Sequence, residues 1–127
     1  MVKKITVVSL LVLPSLFSGP MSAYAQNRFG AIAFSETTGD RGYAWDYSTR
    51  FQAENNAIAQ CRRVSGARDC RILLWFRNAC GSLASGANGA VGTGWGNPPQ
   101  RAEVAALNSC RSFGGINCRV ERTICSR

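Results

Sequence analysis

Two stretches of this sequence repeat each other closely, and this repetition constrains the possible folds more than any single motif does. Ala53–Arg62 and Ala102–Arg111 share an alanine, a glutamate, a second alanine, a large aliphatic residue, a cysteine and an arginine at identical spacing. Shorter matches lie upstream of each stretch: Gly30–Ala33 with Gly81–Ala84, and Trp45 with Trp95. The sequence therefore predicts a duplicated unit, with repeats at about 29–80 and 81–125 that form a single domain.

Each repeat has the same predicted order of elements. A short strand (Gly30–Ser35 or Gly81–Ser85) leads through a turn to a second strand around the repeated tryptophan, then to a helix and a third strand. Of the third strands, Cys70–Phe76 is apolar enough to be largely buried, whereas Cys118–Cys125 alternates and should be more exposed. The order β-β-α-β, read twice, predicts an α+β fold with one antiparallel sheet of about six strands and two helices packed on it. Since neither repeat could easily bury its sheet face alone, we expect one shared core with pseudo-twofold character.

Local signals predict where the two helices begin and end. Thr49 and Asn97 are the predicted N-caps, because short polar side chains accept hydrogen bonds from the first free amides of a helix. Gly66 and Gly114 follow the two helical patterns and are predicted to end them, because glycine adopts the left-handed conformation that commonly terminates a helix.

The first 25 residues have the pattern of an export signal. Lys3 and Lys4 supply the positive start, Ile5–Phe17 is an apolar run, and Ala23-Tyr24-Ala25 is a small-x-small cleavage site. The apolar run is shorter than the roughly 20 residues that span a bilayer. We therefore predict cleavage after Ala25, a mature domain at 26–127 that is not transmembrane, and a periplasmic or secreted location.

Six cysteines lie after the predicted cleavage site, and an oxidising compartment favours their pairing into three disulfides. In each repeat one cysteine ends the helix and the next begins the following strand, which predicts the bridges Cys61–Cys70 and Cys110–Cys118. The two that remain occupy places that we interpret as equivalent, so a Cys80–Cys125 bridge is predicted to link the repeats, although other pairings stay open. The absence of a Cys-x-x-Cys pair and of histidine argues against redox or metal chemistry, and no metal site is predicted.

Charge indicates the kind of partner. Residues 26–127 carry 13 arginines, no lysine and 7 acidic residues, a net charge of +6. The arginines that cluster around the cysteine pairs are the candidate anion contacts: Arg62, Arg63, Arg68, Arg71, Arg111, Arg119 and Arg122. Such a surface favours an acidic protein or an anionic envelope surface as partner, and a solvated basic surface without a specific ligand is an equal alternative. Nucleic acid is not expected, because export separates the chain from it and because three tryptophans are predicted to lie in the core: Trp45, Trp75 and Trp95.

Catalytic residues are scarce. Without histidine, and without lysine after residue 25, no base for a serine or cysteine nucleophile is evident. The remaining candidates are the carboxylates of Glu36, Asp40 and Asp46, two of which could in principle form a hydrolytic pair. The blander interpretation is that Glu36 and Asp40 solubilise a hairpin while Asp46 pairs with an arginine. Glu54 and Glu103 recur in both repeats and are predicted to occupy the first helical turn. There their negative charge would interact favourably with the positive end of the helix dipole.

Two loops are candidate binding surfaces. The Gly86–Gly96 segment has a density of glycine that the first repeat lacks, and it does not have the Gly-Lys-Ser/Thr ending of a phosphate-binding loop. The Glu36–Gly42 turn is the second candidate surface. The candidate binding residues in these loops are Glu36, Asp40, Arg41, Asn88 and Trp95.

As a set, these motifs resemble a known bacterial family, the domain of unknown function 4189. The resemblance rests on the Gly-Ala-Ile-Ala opening at Gly30, the Ala-x-x-x-Ala-x-x-x-Cys helices ending at Cys61 and Cys110, the Cys70 strand and Cys80. It covers almost all of residues 26–127 and implies a small exported domain of the same fold class. It supplies no catalytic residue, cofactor or substrate.

The sequence thus favours an exported, non-enzymatic binding module that acts on a macromolecular partner in the cell envelope, with an inhibitor or immunity-type protein as one form. A small stapled scaffold suits an inhibitor or immunity-type protein, because pre-ordered loops lose little entropy on docking. No cofactor is expected. Two alternatives remain: a carboxylate-based hydrolase of envelope polymer, and a passive basic protein held at the envelope by charge.

Overall fold

The structure is a computed structural model that describes Lys3, Lys4, Ser9, Val12 and residues 26–127. Apart from those four isolated positions, the predicted export signal and its cleavage site lie outside the described residues. None of the helices in the described part of the chain has both the length and the apolar character needed to cross a membrane.

Eight elements follow one another between residues 29 and 125, in the order β-β-α-β repeated twice. They are β1 (Phe29–Phe34), β2 (Arg41–Tyr47), α1 (Arg50–Ser65), β3 (Arg71–Arg77), β4 (Cys80–Ser85), β5 (Val91–Gly96), α2 (Pro99–Ser112) and β6 (Arg119–Cys125). The predicted α+β fold is confirmed, with six strands and two helices. The one sheet of about six strands that we expected is instead two three-stranded antiparallel sheets, ordered β2-β1-β3 and β5-β4-β6, because the three strands of each repeat pair only with one another.

The two sheets face each other, and each carries its helix on the outer side. Along β1, Ala31 and Ala33 pack with Ala53 and Ala57 of α1, whereas Ile32 packs toward the second sheet. This arrangement follows from the alternation of side chains along a strand, which gives each central strand two apolar faces. The result is four layers, helix-sheet-sheet-helix, with a shared core in the middle.

At the centre of that core, the ring of Phe76 lies against two glycines from different sheets. A Cβ atom on Gly30 would lie 2.2 Å from the ring, and one on Gly81 would lie 2.3 Å from it. These residues occupy matching positions, since Gly30 pairs with Phe76 in the first sheet and Gly81 pairs with Ile124 in the second. Both glycines are therefore required by the close approach of one aromatic ring.

The strand register repeats as well as the sequence does. In the first sheet the pairing with β1 skips Leu73 of β3, and in the second the pairing with β4 skips Glu121 of β6. Each is the extra residue of a β-bulge, so the two occupy equivalent places. A bulge in β2 has no such match, because the β4–β5 register runs without a shift. These equivalences allow the two repeats to be compared position by position.

The helix caps are predicted correctly at three of four places. The Oγ1 atom of Thr49 accepts a hydrogen bond from the Gln52 amide over 3.1 Å, and Gly66 ends α1 in the left-handed conformation. Gly114 follows the end of α2 with a positive φ. The predicted cap at Asn97 is wrong: its side-chain amide donates to the Asn78 carbonyl over 2.8 Å, and α2 begins at Pro99 without a side-chain cap.

The two recurring glutamates lie one turn later than predicted, because the first turn of neither helix contains an acidic residue. Glu54 forms an ion pair with Arg50, four residues earlier on α1. Glu103 accepts a hydrogen bond from the hydroxyl of Thr123 over 3.1 Å and so ties α2 to β6. Both are structural, through side-chain contacts rather than through the helix dipole.

The prediction that Cys70–Phe76 is a largely buried strand is wrong. Within β3 only Phe76 is buried, and Trp75 is 41% exposed. The reason is that β3 is an edge strand, paired with β1 on one side alone. The predicted exposure of the equivalent strand β6 is confirmed, since Ile124 is its one buried residue.

The three disulfides join Cys61 to Cys70, Cys110 to Cys118 and Cys80 to Cys125, the pairing that the sequence favoured. The third bridge does not link the repeats as expected. Cys80 is the first residue of β4 and lies opposite Cys125 on β6, so the bridge joins neighbouring strands of the second sheet. Phe29 and Arg77 form the matching register pair in the first sheet. The second sheet therefore begins at Cys80, one residue before the repeat boundary that the sequence suggested.

Candidate functional site

Four of the five candidate binding residues line three surface depressions near the places where the two sheets meet. The first, here called the turn groove, has a volume of about 640 Å³ and includes Glu36. The second, the strand groove, has a volume of about 490 Å³ and includes Trp95. The third, the polar groove, has a volume of about 380 Å³ and includes Asp40 and Arg41.

The turn groove brings the two predicted loops together. Its walls are apolar side chains of both sheets, among them Phe34, Leu73 and Val91, and the backbone of residues 89–92. At its rim the carboxylate of Glu36 forms an ion pair with Arg71, with 2.5 Å between Oε1 and Nη2. The groove thus combines an apolar floor with one exposed ion pair.

The side chain of Asn88 connects the Gly86–Gly96 loop, beside the turn groove, to the segment that follows α2. Its Nδ2 donates to the Gly114 carbonyl over 2.9 Å, and its Oδ1 accepts from the Ile116 amide over 3.1 Å. Because both polar ends of the side chain are engaged, Asn88 holds the loop against the segment that follows α2.

The strand groove runs along the free edge of β3. Its lining consists of five consecutive residues, Leu73–Arg77, together with Trp95 on β5. Side chains alternate between the faces of a strand, so a groove lined by consecutive residues follows the backbone edge rather than one face. This groove shares Leu73 with the turn groove.

Charged side chains lie in and beside the polar groove. Arg41 donates from Nη2 to Glu121 over 2.9 Å, and the hydroxyl of Ser85 donates to the same carboxylate over 2.6 Å. The guanidinium of Arg122 lies 4.7 Å from the ring centroid of Tyr43 and 5.2 Å from that of Trp45, which are cation–π distances. Burial raises the pKa of Tyr43, and the Glu121 carboxylate raises it further, against opposing effects of Arg41 and Arg122.

The strand register makes the polar groove the counterpart of the two apolar ones. The position of Arg41 is held by Val91 in the other repeat, and the position of Glu121 is held by Leu73. In the same way Tyr43 corresponds to Thr93, Arg122 to Leu74 and Trp45 to Trp95. On one side of the molecule, between β2 and β6, three of these five positions are charged. On the other side, between β3 and β5, none of the equivalent positions is charged, and two depressions lie there.

The prediction that the tryptophans lie in the core is wrong. Trp45, Trp75 and Trp95 are 40%, 41% and 63% exposed. Two of them lie beside arginines: Arg122 near Trp45, and Arg50 at 4.2 Å from the ring of Trp75. The tryptophans end up at the surface because they stand on edge strands, where one side of the chain has no neighbouring strand.

The candidate anion-contact arginines are exposed and fall into two groups. Arg62, Arg63 and Arg68 lie near the Cys61–Cys70 bridge, and Arg111 and Arg119 lie near the Cys110–Cys118 bridge. The other two are engaged locally, since Arg71 pairs with Glu36 and Arg122 lies over two rings.

The carboxylates that could have formed a hydrolytic pair do not converge. Asp40 and Asp46 lie at opposite ends of β2, and Glu36 is paired with Arg71. Asp46 accepts a hydrogen bond from the main-chain amide of Arg127 over 3.0 Å. Among the described residues, no three Asp, Glu or Cys side chains come close enough to share a metal ion.

One site residue was missed at the sequence level. Asp69 accepts hydrogen bonds from the Ser35 hydroxyl over 2.5 Å, and from the hydroxyl and the amide of Thr37 over 2.7 and 3.0 Å. These bonds attach the turn that carries Glu36 to the loop before β3. No sequence signal links Asp69 to Ser35, because the contact joins residues 34 positions apart.

Acid is expected to release this attachment. The three hydrogen bonds, first that from the Ser35 hydroxyl, lower the pKa of Asp69 to about 2, against about 3.9 in an unfolded chain. A depressed pKa means that the contribution to stability is complete above about pH 4 and is lost as the pH falls toward 2. We expect Asp69→Asn to be less stable than the wild type at neutral pH and to lose less stability over that interval. Thermal unfolding as a function of pH measures this, and profiles that run parallel would contradict it.

Comparison with known proteins agrees with this fold. Residues 29–125 match the family model described as a domain of unknown function, DUF4189. Over 63 residues the chain is 43% identical to Protein Rv1269c of Mycobacterium tuberculosis and equally to Protein Mb1300c of Mycobacterium bovis. That match covers 50% of this chain and 46% of either relative, so the chain spans about half the length of these curated relatives.

A solved structure is also similar. The NMR structure of Rv1813c from Mycobacterium tuberculosis superposes with a TM-score of 0.56 and 28% sequence identity, over 77% of this chain and 74% of that one. The family model spans all six strands, both helices and the six cysteines. The chain therefore belongs to the family of the domain of unknown function DUF4189.

Proposed function

We propose that this protein is an exported, non-enzymatic binding module that docks on a macromolecular partner in the cell envelope, in the manner of an inhibitor or immunity-type protein. The observation that carries the proposal is the contrast between the two sides of the molecule. One groove is lined by charged side chains beside the Arg41–Glu121 ion pair, whereas on the other side the equivalent positions Leu73, Val91 and Trp95 line two depressions without charge at these positions. Exposed apolar surface that is not needed to form the core is typical of a docking surface.

Rigidity supports the same proposal. Three disulfides clamp a chain of this size, and Asp69 and Asn88 hold the two loops beside the turn groove. A surface that is ordered before docking loses little conformational entropy when it binds. Disulfides are also typical of oxidising compartments, which supports export through the pattern in residues 1–25 to the periplasm or beyond.

The contacts of the carboxylates favour binding over hydrolysis. A retaining or inverting hydrolase needs two carboxylates facing one substrate bond. In this chain Glu36 is paired with an arginine, and Asp40 and Asp46 stand at opposite ends of one strand. The net charge of +6 over residues 26–127 favours an acidic partner, whose association would weaken as salt is raised.

Capture followed by reconstitution tests this proposal. The oxidised protein is immobilised and exposed to envelope extract, with the reduced and alkylated protein as control, and the recovered protein is purified and titrated by calorimetry. We expect one saturable complex that weakens with salt and is lost on reduction. Equal binding to vesicles of anionic lipid would contradict the proposal, as would turnover of envelope polymer that Glu36→Gln, Asp40→Asn or Asp46→Asn abolishes.

A further inference from the structure

The free edges of the two sheets differ in a way that points to a specific mode of binding. β6 has charged residues in its middle, Glu121 and Arg122, whereas the equivalent stretch of β3 reads Ile-Leu-Leu-Trp-Phe between Arg71 and Arg77. Proteins usually protect an edge strand with charges, since an exposed apolar edge is a template for pairing with another chain. β6 follows that rule and β3 does not.

The edge of β3 is also accessible. The strand groove follows it for five consecutive residues, and Trp95 of β5 forms the opposite wall. Trp75 and Trp95 are both more than a third exposed, so each can contact a chain that enters the groove. An added strand would find unpaired backbone groups along β3 and an apolar wall facing them.

We propose that the β3 edge takes up an extended segment of a partner protein as an additional strand, in which alternate residues are apolar and acidic residues stand at both ends. This inference rests on the proposed binding function and names its surface and the chemistry of its partner. Main-chain hydrogen bonds to β3 would supply affinity, and contacts of the alternate side chains with Leu73 and Trp95 would supply specificity.

Charge decides between an acidic segment and a second copy of this chain. Arg71 and Arg77 stand at the two ends of β3. Two copies that paired along β3 would each bring a net charge of +6 over residues 26–127, and like net charges oppose association. A segment with Asp or Glu at its ends would instead meet Arg77 at one end, and Arg71 of the exposed Arg71–Glu36 ion pair at the other, with favourable charge.

A phage library of random linear dodecapeptides, selected on the oxidised protein, tests the inference. We expect the enriched sequences to alternate apolar and polar residues between acidic ends, and the consensus peptide, made synthetically, to shift NMR signals of β3 amides and of the Trp95 indole. Trp95→Ala should weaken its binding about tenfold or more, as expected for a tryptophan at the centre of an interface. Leu73→Glu, which copies Glu121 of β6, should weaken it comparably by placing a carboxylate beside an acidic peptide.

The matched control is Trp45→Ala, which removes the equivalent tryptophan beside the polar groove and should leave peptide binding within about twofold. Enrichment of basic or non-alternating sequences, or none, would overturn the inference, as would binding that Trp95→Ala and Leu73→Glu leave intact. A concentration-dependent dimer, seen by sedimentation and broken by Leu73→Glu, would overturn it in favour of self-pairing. Because these arms do not use the envelope partner, failure here leaves the capture experiment to decide the proposed function separately.

Discussion

Replacement of Phe76 by alanine is expected to lower the free energy of unfolding by about 3–5 kcal/mol, as large-to-small substitutions of buried aromatic residues do. The side chain is 2% exposed and belongs to the cluster formed with Ile32, Leu83 and Ile124 between the two sheets. Its ring fills the space beside two glycines, so neither neighbour has a side chain that could move into the void. Guanidinium-induced unfolding at equilibrium measures the loss.

The control for this experiment is Phe51→Ala. Phe51 lies on α1 and is 75% exposed, so its truncation should change the free energy of unfolding by no more than about 0.5 kcal/mol. A loss of less than about 1 kcal/mol for Phe76→Ala would mean that the sheets collapse onto each other without this ring, contrary to the packing described above.

Removal of the Cys80–Cys125 bridge by a double substitution to alanine is expected to cost about 4 kcal/mol. The bridge closes the longest of the three loops, with a sequence separation of 45 against 9 and 8 for the other two. A crosslink stabilises mainly by restricting the unfolded chain, and this effect grows with the logarithm of the loop length. Cys61→Ala with Cys70→Ala should therefore cost less, about 2.5–3 kcal/mol.

Alanine is chosen because Cys80 is fully buried and a serine there would add an unpaired hydroxyl. Denaturation curves of the two double variants and the wild type, recorded under identical oxidising conditions, give the comparison. Equal losses for the long and the short loop would show that strain or native contacts, rather than loop closure, determine the contribution of these bridges.

Much of the fold follows from the repeat in the sequence. The element order, the Cys61–Cys70 and Cys110–Cys118 bridges and the cap at Thr49 could be predicted because each depends on local spacing or on a match between the two copies. The Cys80–Cys125 pairing was reached only because these two cysteines remained. The division into two sheets could not, because Ile32 and Leu83 look the same in sequence whether they face a helix or another sheet. The exposure of Trp75 depends on β3 being an edge strand, which only the pairing order decides.

The candidate site was less predictable than the fold. The sequence indicated the loops at Glu36 and Asn88, but the contrast between Leu73 and Glu121 has meaning only after the register shows that both are bulge residues at equivalent places. Asp69 was missed because its partners come from a distant turn. Sites of this kind arise from contacts between segments that are far apart in the chain, and local sequence patterns do not predict such contacts.

The central packing of the two sheets also bears on how the open groove arose. Each repeat covers the inner face of the other, so a single repeat would leave that face exposed unless two identical copies paired. In such a pair every substitution appears twice, and both grooves must change together. Fusion of the two subunits into one polypeptide ends that constraint. One groove can then acquire charged residues while the equivalent positions on the other side stay apolar and contact a ligand. A symmetric dimer could not change one side without the other.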